Sequence, residues 1–241
     1  MKILIAIPAY NEQSILATSI ERLVNFCSQN LTIDWQIIIA DNNSSDQTAV
    51  VAKNLASQFS QVKYLFVPQK GKGIAIRSAW ESQPADLYCF MDADLATDLS
   101  ALQLAIAAVN EGNDAVIGSR FARQSKVSRS LVRKLTSQGY RLVLKIILGL
   151  KINDAPCGFK LISQKVKDDI LPKVQNQEWF FDSELIILVE KGGYKIKEIP
   201  VIWHDPREGE DKSRVQTLSL SRAYFNQVLN LRKRLGKKNH G

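Results

Sequence analysis

Leu87-Tyr88-Cys89-Phe90-Met91-Asp92-Ala93-Asp94-Leu95 is an apolar run closed by two carboxylates. The run reads as a strand ending at Met91, with Asp92 and Asp94 at its carboxyl end. That is the edge beyond which open α/β sheets bind ligands. An extended backbone would point both side chains the same way, close together. Two like charges so placed repel each other unless a cation lies between them, and hard carboxylate oxygens suit Mg²⁺ or Mn²⁺. The plainer alternative is a pair of aspartates capping a helix at a loop. The rest of the chain weighs between the two.

Outward from this segment, short apolar runs alternate with helical patterns. Lys2–Ile7, Trp35–Ala40, Val62–Val67 and Ala115–Gly118 read as further strands, and Ser14–Ser28, Asp46–Phe59, Gly73–Ser82 and Leu99–Asn110 as helices. Strands separated by helices of about 10–15 residues imply βαβ units and a parallel sheet, so the fold class is α/β. No repeat, low-complexity tract or Pro/Gly-rich linker interrupts the pattern. At 241 residues the chain suits one large α/β domain, or one with an extension, and 45% hydrophobic residues can furnish its core. The division expected is a main domain over 1–215 and a basic amphipathic helix with its tail over 216–241.

Three scattered cysteines, Cys27, Cys89 and Cys157, offer neither a zinc spacing nor a disulfide framework, which favours a reducing cytosol. The apolar run before Pro8 is too short for a signal peptide, and no run approaches the roughly 18–20 residues that span a bilayer. The expected location is therefore the cytoplasm, free or peripheral at a membrane face.

The formal charge of +8 is unevenly spread. Between Ala115 and Asn153 there is no acidic residue, while Arg120, Arg123, Lys126, Arg129, Arg133, Lys134, Arg141, Lys145 and Lys151 are all basic. Such a field favours an anionic partner: a phosphate, a nucleic acid or an acidic membrane surface. Within Ser128–Leu150, Arg129, Arg133, Arg141 and Lys145 keep a four-residue spacing, and Leu131, Leu135, Val143 and Ile147 form a parallel apolar row. Leu220, Tyr224, Val228, Leu231 and Leu235 give a second amphipathic helix with a basic end. Each helix can lie on an anionic membrane surface or press its apolar row on the protein's own core.

Polar residues gather where the other strands end. Pro8-Ala9-Tyr10-Asn11-Glu12 follows the first strand and Asp41-Asn42-Asn43-Ser44-Ser45-Asp46 the second. Asp41 is placed to accept hydrogen bonds from a ribose or base, and Asp46 to cap the next helix. Gln69-Lys70-Gly71-Lys72-Gly73 resembles a phosphate-handling turn, whose glycines let backbone N–H groups approach an anion at a helix start. Gly118-Ser119-Arg120 ends the fifth strand in a forked, permanently charged donor.

In this order and spacing, Pro8–Glu12, Asp41–Asp46, Gly71–Gly73, Asp92–Asp94 and Gly118–Arg120 resemble family 2 inverting glycosyltransferases of the GT-A fold. Asp154-Ala155-Pro156-Cys157-Gly158-Phe159-Lys160, Trp179–Leu185 and Glu198-Ile199-Pro200-Val201 narrow the likeness to the dolichyl-phosphate glucosyltransferase and mannosyltransferase branch. The likeness runs from about residue 2 to 215. It implies transfer of a hexose from a nucleotide sugar to a polyprenyl phosphate at a membrane face. By this resemblance Pro8, Tyr10, Glu12 and Asp41 hold the nucleotide, with Lys72 in the donor set, and Asp92 and Asp94 the metal–diphosphate. Arg120 stabilises phosphate charge, Arg133 grips the acceptor phosphate, and Arg207 and Arg214 close over the site.

A lipid phosphate is already an anion near neutral pH, so the nucleophile needs positioning and charge relief rather than a strong base. Neither His204 nor His240 is needed as one. Two positions depart from the family pattern. Ala96 stands where mannosyltransferases of the group place a metal-binding glutamine, which tilts the donor toward UDP-glucose over GDP-mannose. Arg214 follows Ser213 where a lysine is usual. A glycan, protein or small-molecule acceptor is the second reading. A non-catalytic basic module for nucleic acid or lipid is the third, but it has no use for paired carboxylates at a strand end.

Overall fold

The computed structural model describes residues 1–128, 131–204 and 217–237, with the side chains of 128, 131–135, 217–223 and 237 left aside. Its strands are β1 (Lys2–Ala9), β2 (Asp34–Asp41), β3 (Val62–Phe66), β4 (Leu87–Met91), β5 (Ala115–Ser119), β6 (Lys126–Ser128), β7 (Phe159–Ser163), β8 (Ile196–Pro200) and β9 (Ile202–His204). The helices are α1 (Leu16–Asn30), α2 (Thr48–Gln58), α3 (Lys72–Glu81), α4 (Ser100–Asn110), α5 (Leu131–Leu148), α6 (Gln164–Ile170), α7 (Phe181–Lys191) and α8 (Thr217–Lys237). Every strand and helix expected in the first half is present, with its bounds within two residues of those read from the sequence.

Seven strands form one sheet in the order β3-β2-β1-β4-β7-β5-β8, and β6 pairs with β9 in a separate ribbon. Alternation along the strands builds a core on each face. Leu4, Ala6, Ile38, Tyr88 and Phe90 face the layer of α3, α5, α7 and α8. Ile3, Ile5, Ile7, Ile37, Ile39, Cys89 and Met91 face α1, α2 and α4. Both faces of the central strands are thus covered, which is why β4 is apolar at all five positions. The three cysteines are buried free thiols.

The sheet is parallel except for β7. That strand runs antiparallel between β4 and β5, with Met91 opposite Phe159 and Ile117 opposite Lys160. Sequence reading placed no strand there; the strand carries a lysine as its second residue. Lys160 is fully buried, and its Nζ donates to the Cys157 carbonyl at 2.6 Å.

The helix expected within 128–150 is present as α5, but its solvent face differs from the basic row. Arg141 lies over the Phe121 ring at 4.9 Å, and Lys145 donates to Asn153 Oδ1 at 2.8 Å. Leu142 and Ile146 face solvent instead, at 57% and 73% exposure. Val143 and Ile147 pack against the core, as the apolar row predicts. On α8, Val228 and Leu231 are buried in that same core. Tyr224 meets Tyr140 and Phe180 edge-on at 5.6 and 5.8 Å, which locks α5, α8 and the start of α7 together. Among the described residues no helix is long and apolar enough to cross a membrane.

Candidate active site

The carboxyl ends of β1, β2 and β4 open on a cleft of about 420 Å³. Pro8, Tyr10 and Glu12 line one side, Lys70, Gly71 and Lys72 another, and Asp92, Ala93 and Asp94 a third, with Glu178 and Trp179 as a wall. Five of these were singled out as donor or metal residues on sequence grounds: Pro8, Tyr10, Glu12, Asp92 and Asp94. Lys72 makes a sixth.

Two loops at this edge are stitched together. Asn11 takes a left-handed conformation (φ 55°), its N–H donates to Ser44 Oγ, and its Oδ1 accepts from the Ser45 N–H at 2.8 Å. The Glu12 N–H donates to Thr48 Oγ1 at 2.8 Å. Asp46 Oδ1 accepts from the Thr48 N–H at 2.9 Å just ahead of α2, but the N-cap position itself is Gln47, with no side-chain cap, in place of the Asp46 cap expected. Asn42 extends the network: its Nδ2 donates to the Gln69 carbonyl, and its Oδ1 accepts from the Gly71 N–H at 2.6 Å. Asp41 lies beneath these loops. It is 1% exposed, accepts from the Tyr64 hydroxyl and the Ser44 N–H at 3.1 Å each, and does not line the cleft.

The glycine turn has a different reason from the one its sequence advertises. Gly71 has φ 141°, and a Cβ there would lie 2.3 Å from the Gln177 carbonyl oxygen. The Ile74 N–H donates to that same carbonyl at 3.0 Å. Close approach of the chain leading into α7 therefore demands the glycine, and the N–H groups of Gly71 and of Ile74 just beyond it already have protein partners. The side chains of the turn face the cleft: Lys70 Nζ donates to the Tyr10 hydroxyl at 3.1 Å.

Asp92 and Asp94 share the cleft edge, but not through extended backbone. Residues 92–95 form a turn in which the Leu95 N–H donates to the Asp92 carbonyl at 3.0 Å and Leu95 has φ 46°. Asp94 Oδ1 accepts from the Ala96 N–H at 3.1 Å. The Asp92 carboxylate lies on Gly158, where a Cβ would come within 1.9 Å of Oδ2. Its Oδ1 is 2.7 Å from Lys72 Nζ, which also sits 2.7 Å from Asp182 Oδ2. Burial opposes the charge on Lys72, yet Asp182 and Asp92 outweigh it and lift its pKa above the ordinary lysine value. Lys160, without such pairing, has its pKa drawn below that value by burial, with Asp182 countering in part.

These carboxylates suit a hard divalent cation. Asp92 is 38% exposed, both side chains open on the cleft, and no larger acidic, histidine or cysteine cluster among the described residues offers another seat. Two aspartates would leave the remaining coordination to water and diphosphate oxygens, a shell common for Mg²⁺.

Arg120 is turned elsewhere. Its Nε and Nη2 fork onto Asp154 at 2.9 and 2.7 Å, its N–H donates to the same carboxylate at 2.8 Å, and Asp154 is fully buried. Burial opposes its charge and Asp154 sustains it, so its pKa rises. This pair fixes β5's end to the loop before Gly158. Arg120 does not line the cleft. The backbone of Arg133 lies in α5, while Arg207 and Arg214 fall outside the described residues.

Sequence reading gave no role to Asn42, Asp154, Gly158, Trp179 or Asp182. A signal was present for Asp182 and Glu184: two carboxylates within the apolar stretch Phe180–Leu185 are unusual unless paired.

The model of the family "Glycosyl transferase family 2" matches residues 4–171. AglD of Haloferax volcanii, a glycosyltransferase, is 27% identical over 206 residues, covering 84% of this chain and 33% of that protein. Dolichyl-phosphate beta-glucosyltransferase ALG5D of Trichomonas vaginalis is 31% identical, covering 83% of this chain and 64% of its own length. The Saccharomyces cerevisiae dolichyl-phosphate beta-glucosyltransferase is 27% identical, with 83% and 66% covered. The chain thus spans one third to two thirds of the curated relatives it matches. In fold it resembles glucosyl-3-phosphoglycerate synthase from Mycobacterium tuberculosis, solved with Mn²⁺, UDP-glucose and phosphoglyceric acid (TM-score 0.70, 16% identity, 96% of this chain and 80% of that one). Mannosyl-3-phosphoglycerate synthase from Rubrobacter xylanophilus is similar (TM-score 0.71, 16% identity, 100% and 76% covered). The three-layer α/β architecture is the GT-A fold of these neighbours.

Proposed function

Since the chain belongs to glycosyl transferase family 2, we propose that it transfers glucose from UDP-glucose to a polyprenyl (dolichyl-type) phosphate, with inversion and with a divalent cation. The observation that carries the reading is the cleft itself. Asp92 and Asp94 share it with the Pro8–Glu12 loop and the Lys70–Lys72 turn, so carboxylates suited to a cation and lysines suited to a diphosphate line one space sized for a nucleotide sugar. The dolichyl-phosphate glucosyltransferases among the relatives support the choice of sugar and acceptor.

In this reading Pro8, Tyr10 and Glu12 hold the nucleotide, and Asp41 shapes their loop from beneath. Asp92 and Asp94 hold Mg²⁺ or Mn²⁺, which when bound compensates charge on the departing diphosphate. Lys70 adds positive charge beside Tyr10, and Lys72 adds it against Asp92 itself. Arg120 keeps the Asp154–Gly158 loop in place under Asp92, so any phosphate contact would require it to leave Asp154. Arg133 on α5 receives the acceptor phosphate, and Arg207 and Arg214 complete the phosphate contacts. The acceptor phosphate arrives as an anion, so the reaction needs its positioning more than a strong general base. The exposed Leu142 and Ile146 on α5 would enter the headgroup layer of an anionic membrane, with the basic end of α8 at its surface.

Incubation with UDP-glucose, Mn²⁺ or Mg²⁺ and polyprenyl phosphate is expected to yield a glucosylated lipid, and Asp94→Ala to abolish it with the fold intact. Parallel arms with GDP-mannose, with free polyprenol and with a non-lipid phosphate acceptor identify the donor and acceptor. Transfer to free polyprenol at the same rate, or no transfer from any nucleotide sugar, would overturn the proposal.

A further inference from the structure

The inference rests on reading the cleft as a donor–metal site, and concerns the lysine already seated on it. Lys72 Nζ is equidistant from Asp92 Oδ1 and Asp182 Oδ2, at 2.7 Å from each. The two carboxylates differ in every other respect. Asp92 is 38% exposed on the cleft, whereas Asp182 is 6% exposed beneath the lysine, itself 9% exposed. Asp182 Oδ1 is buried and has no hydrogen-bond partner. Buried carboxylate oxygens are rarely left so, and an ammonium carries three donors. The Asp182 side of the lysine is therefore an incomplete pair with room for one more hydrogen bond.

We propose that Lys72 is a resident counter-ion on Asp92, which an incoming divalent cation displaces onto Asp182. In the displaced state the ammonium leaves Asp92 Oδ1, keeps Asp182 Oδ2 and takes up Asp182 Oδ1. Asp182 is then a positioning residue that controls Asp92 through Lys72. Charge supports both positions. Without the cation, Asp92 is compensated by the ammonium. With it, a dication and an ammonium on one carboxylate would repel each other, while Asp182 keeps the buried lysine paired.

The surroundings limit where the ammonium can go. It lies 5.1 Å from the Phe90 ring centre and 5.6 Å from that of Trp179, and Lys160 Nζ occupies another position near Phe90 at 5.2 Å. Lys72 opens α3 directly after Gly71, whose N–H is tied to Asn42. With its base held and aromatic rings alongside, the side chain needs only a short swing between the two carboxylates. The functional consequence is ordered loading. A cation alone must displace the lysine, whereas one arriving with a diphosphate brings added negative charge to the site, so cation and donor bind cooperatively.

The test is Mn²⁺ titration of the full chain by calorimetry, without and with UDP-glucose. Lys72→Met is expected to bind Mn²⁺ alone about tenfold more tightly than the unsubstituted chain. Lys70→Met removes a charge from the same cleft but not from Asp92, and is expected to change that affinity less than about threefold. Asp182→Asn is expected to weaken it about tenfold, and to have no further effect in the Lys72→Met background. A read-out on the unsubstituted chain guards against misfolded variants: the Lys72 Cε NMR signal, assigned by its loss in Lys72→Arg, should move on adding Mg²⁺ without donor.

Lys72→Met binding no tighter than Lys70→Met, equal effects of Asp182→Asn with and without Lys72, or an unmoved Cε signal at saturating Mg²⁺ would each overturn the exchange. Normal Mn²⁺ binding with UDP-glucose in those same experiments leaves the donor–metal reading standing. Absence of Mn²⁺ binding from every variant, even with UDP-glucose, sinks both.

Discussion

Arg234 of α8 and Glu184 of α7, 50 residues apart in sequence, form an ion pair with Nη1 and Oε1 2.5 Å apart. The Glu184 oxygens also accept from the Gln175 and Asn176 N–H groups at 3.1 and 2.8 Å, and Arg234 Nη2 donates to the Lys173 carbonyl at 2.9 Å. One buried carboxylate thereby pins the C-terminal helix to the segment that leads into Glu178 and Trp179 of the cleft wall. Glu184→Gln leaves a guanidinium unpaired and weakens both amide contacts. Arg234 is partly solvated, so the expected loss is about 2 kcal/mol, below that for a fully buried pair. Urea unfolding measures it, and KM for UDP-glucose should rise more than kcat falls. Unchanged stability would show that the pin carries no load.

Gly158 tests the seat of Asp92. An added methyl would meet Oδ2 at 1.9 Å and Cγ at 2.6 Å, and a short aspartate side chain cannot yield without turning its carboxylate. Gly158→Ala is expected to weaken Mn²⁺ binding in the presence of UDP-glucose by at least about tenfold. Its thermal midpoint should fall by only about 2–8 °C, corresponding to about 1–2 kcal/mol. Unchanged Mn²⁺ affinity would mean that Asp92 does not ligate from this position.

Lys160 gives a pH signature. Burial first of all draws its pKa below the lysine value, so between the folded and unfolded pKa the unfolded chain binds more protons. Stability contributed by this group therefore rises with pH across that window, below the ordinary value near 10.5. Lys160→Met should remove the rise, so its advantage over the unsubstituted chain shrinks from pH 7 toward pH 10. Parallel slopes in denaturant titrations at several pH values would refute this.

Leu142 and Ile146 test the membrane face. Both are largely exposed, so Leu142→Ser with Ile146→Ser should leave the unfolding midpoint within a few degrees. Losing two insertable side chains should reduce flotation with anionic liposomes by about tenfold, from about 1 kcal/mol or less each. Undiminished flotation would move the contact elsewhere.

The first half of the fold was legible because its strands are apolar at consecutive positions and its helices periodic, two signals that local sequence carries. Strand β7 was not, since Lys160 breaks the apolar run and its burial depends on a carbonyl at Cys157. Of the cleft residues, Asp92 and Asp94 could be found because they follow a strand end, and Pro8, Tyr10, Glu12 and Lys72 through the resemblance to family 2 glycosyltransferases. Asp182, Asp154 and Gly158 could not be assigned, since their partners Lys72, Arg120 and Asp92 lie far off in the chain. Gly71 also answers to Gln177, a contact that local spacing does not reveal. On α5 the apolar row was legible, and Val143 and Ile147 pack on the core, but the turns of Arg141 onto Phe121 and Lys145 onto Asn153 depend on distant partners.

Strand β5 bonds only to β7 and β8, both of which come later in the chain. As the polypeptide leaves the ribosome, the four strands ending at β4 can assemble at once, but β5 must wait for Phe159–Ser163 to slide in beside it. A cut near residue 129 would therefore yield two halves that interlock like a tongue and slot, each completing an edge the other leaves open. That geometry recommends the chain for split-fragment reassembly, in which the return of activity would report the meeting of whatever is fused to the two pieces.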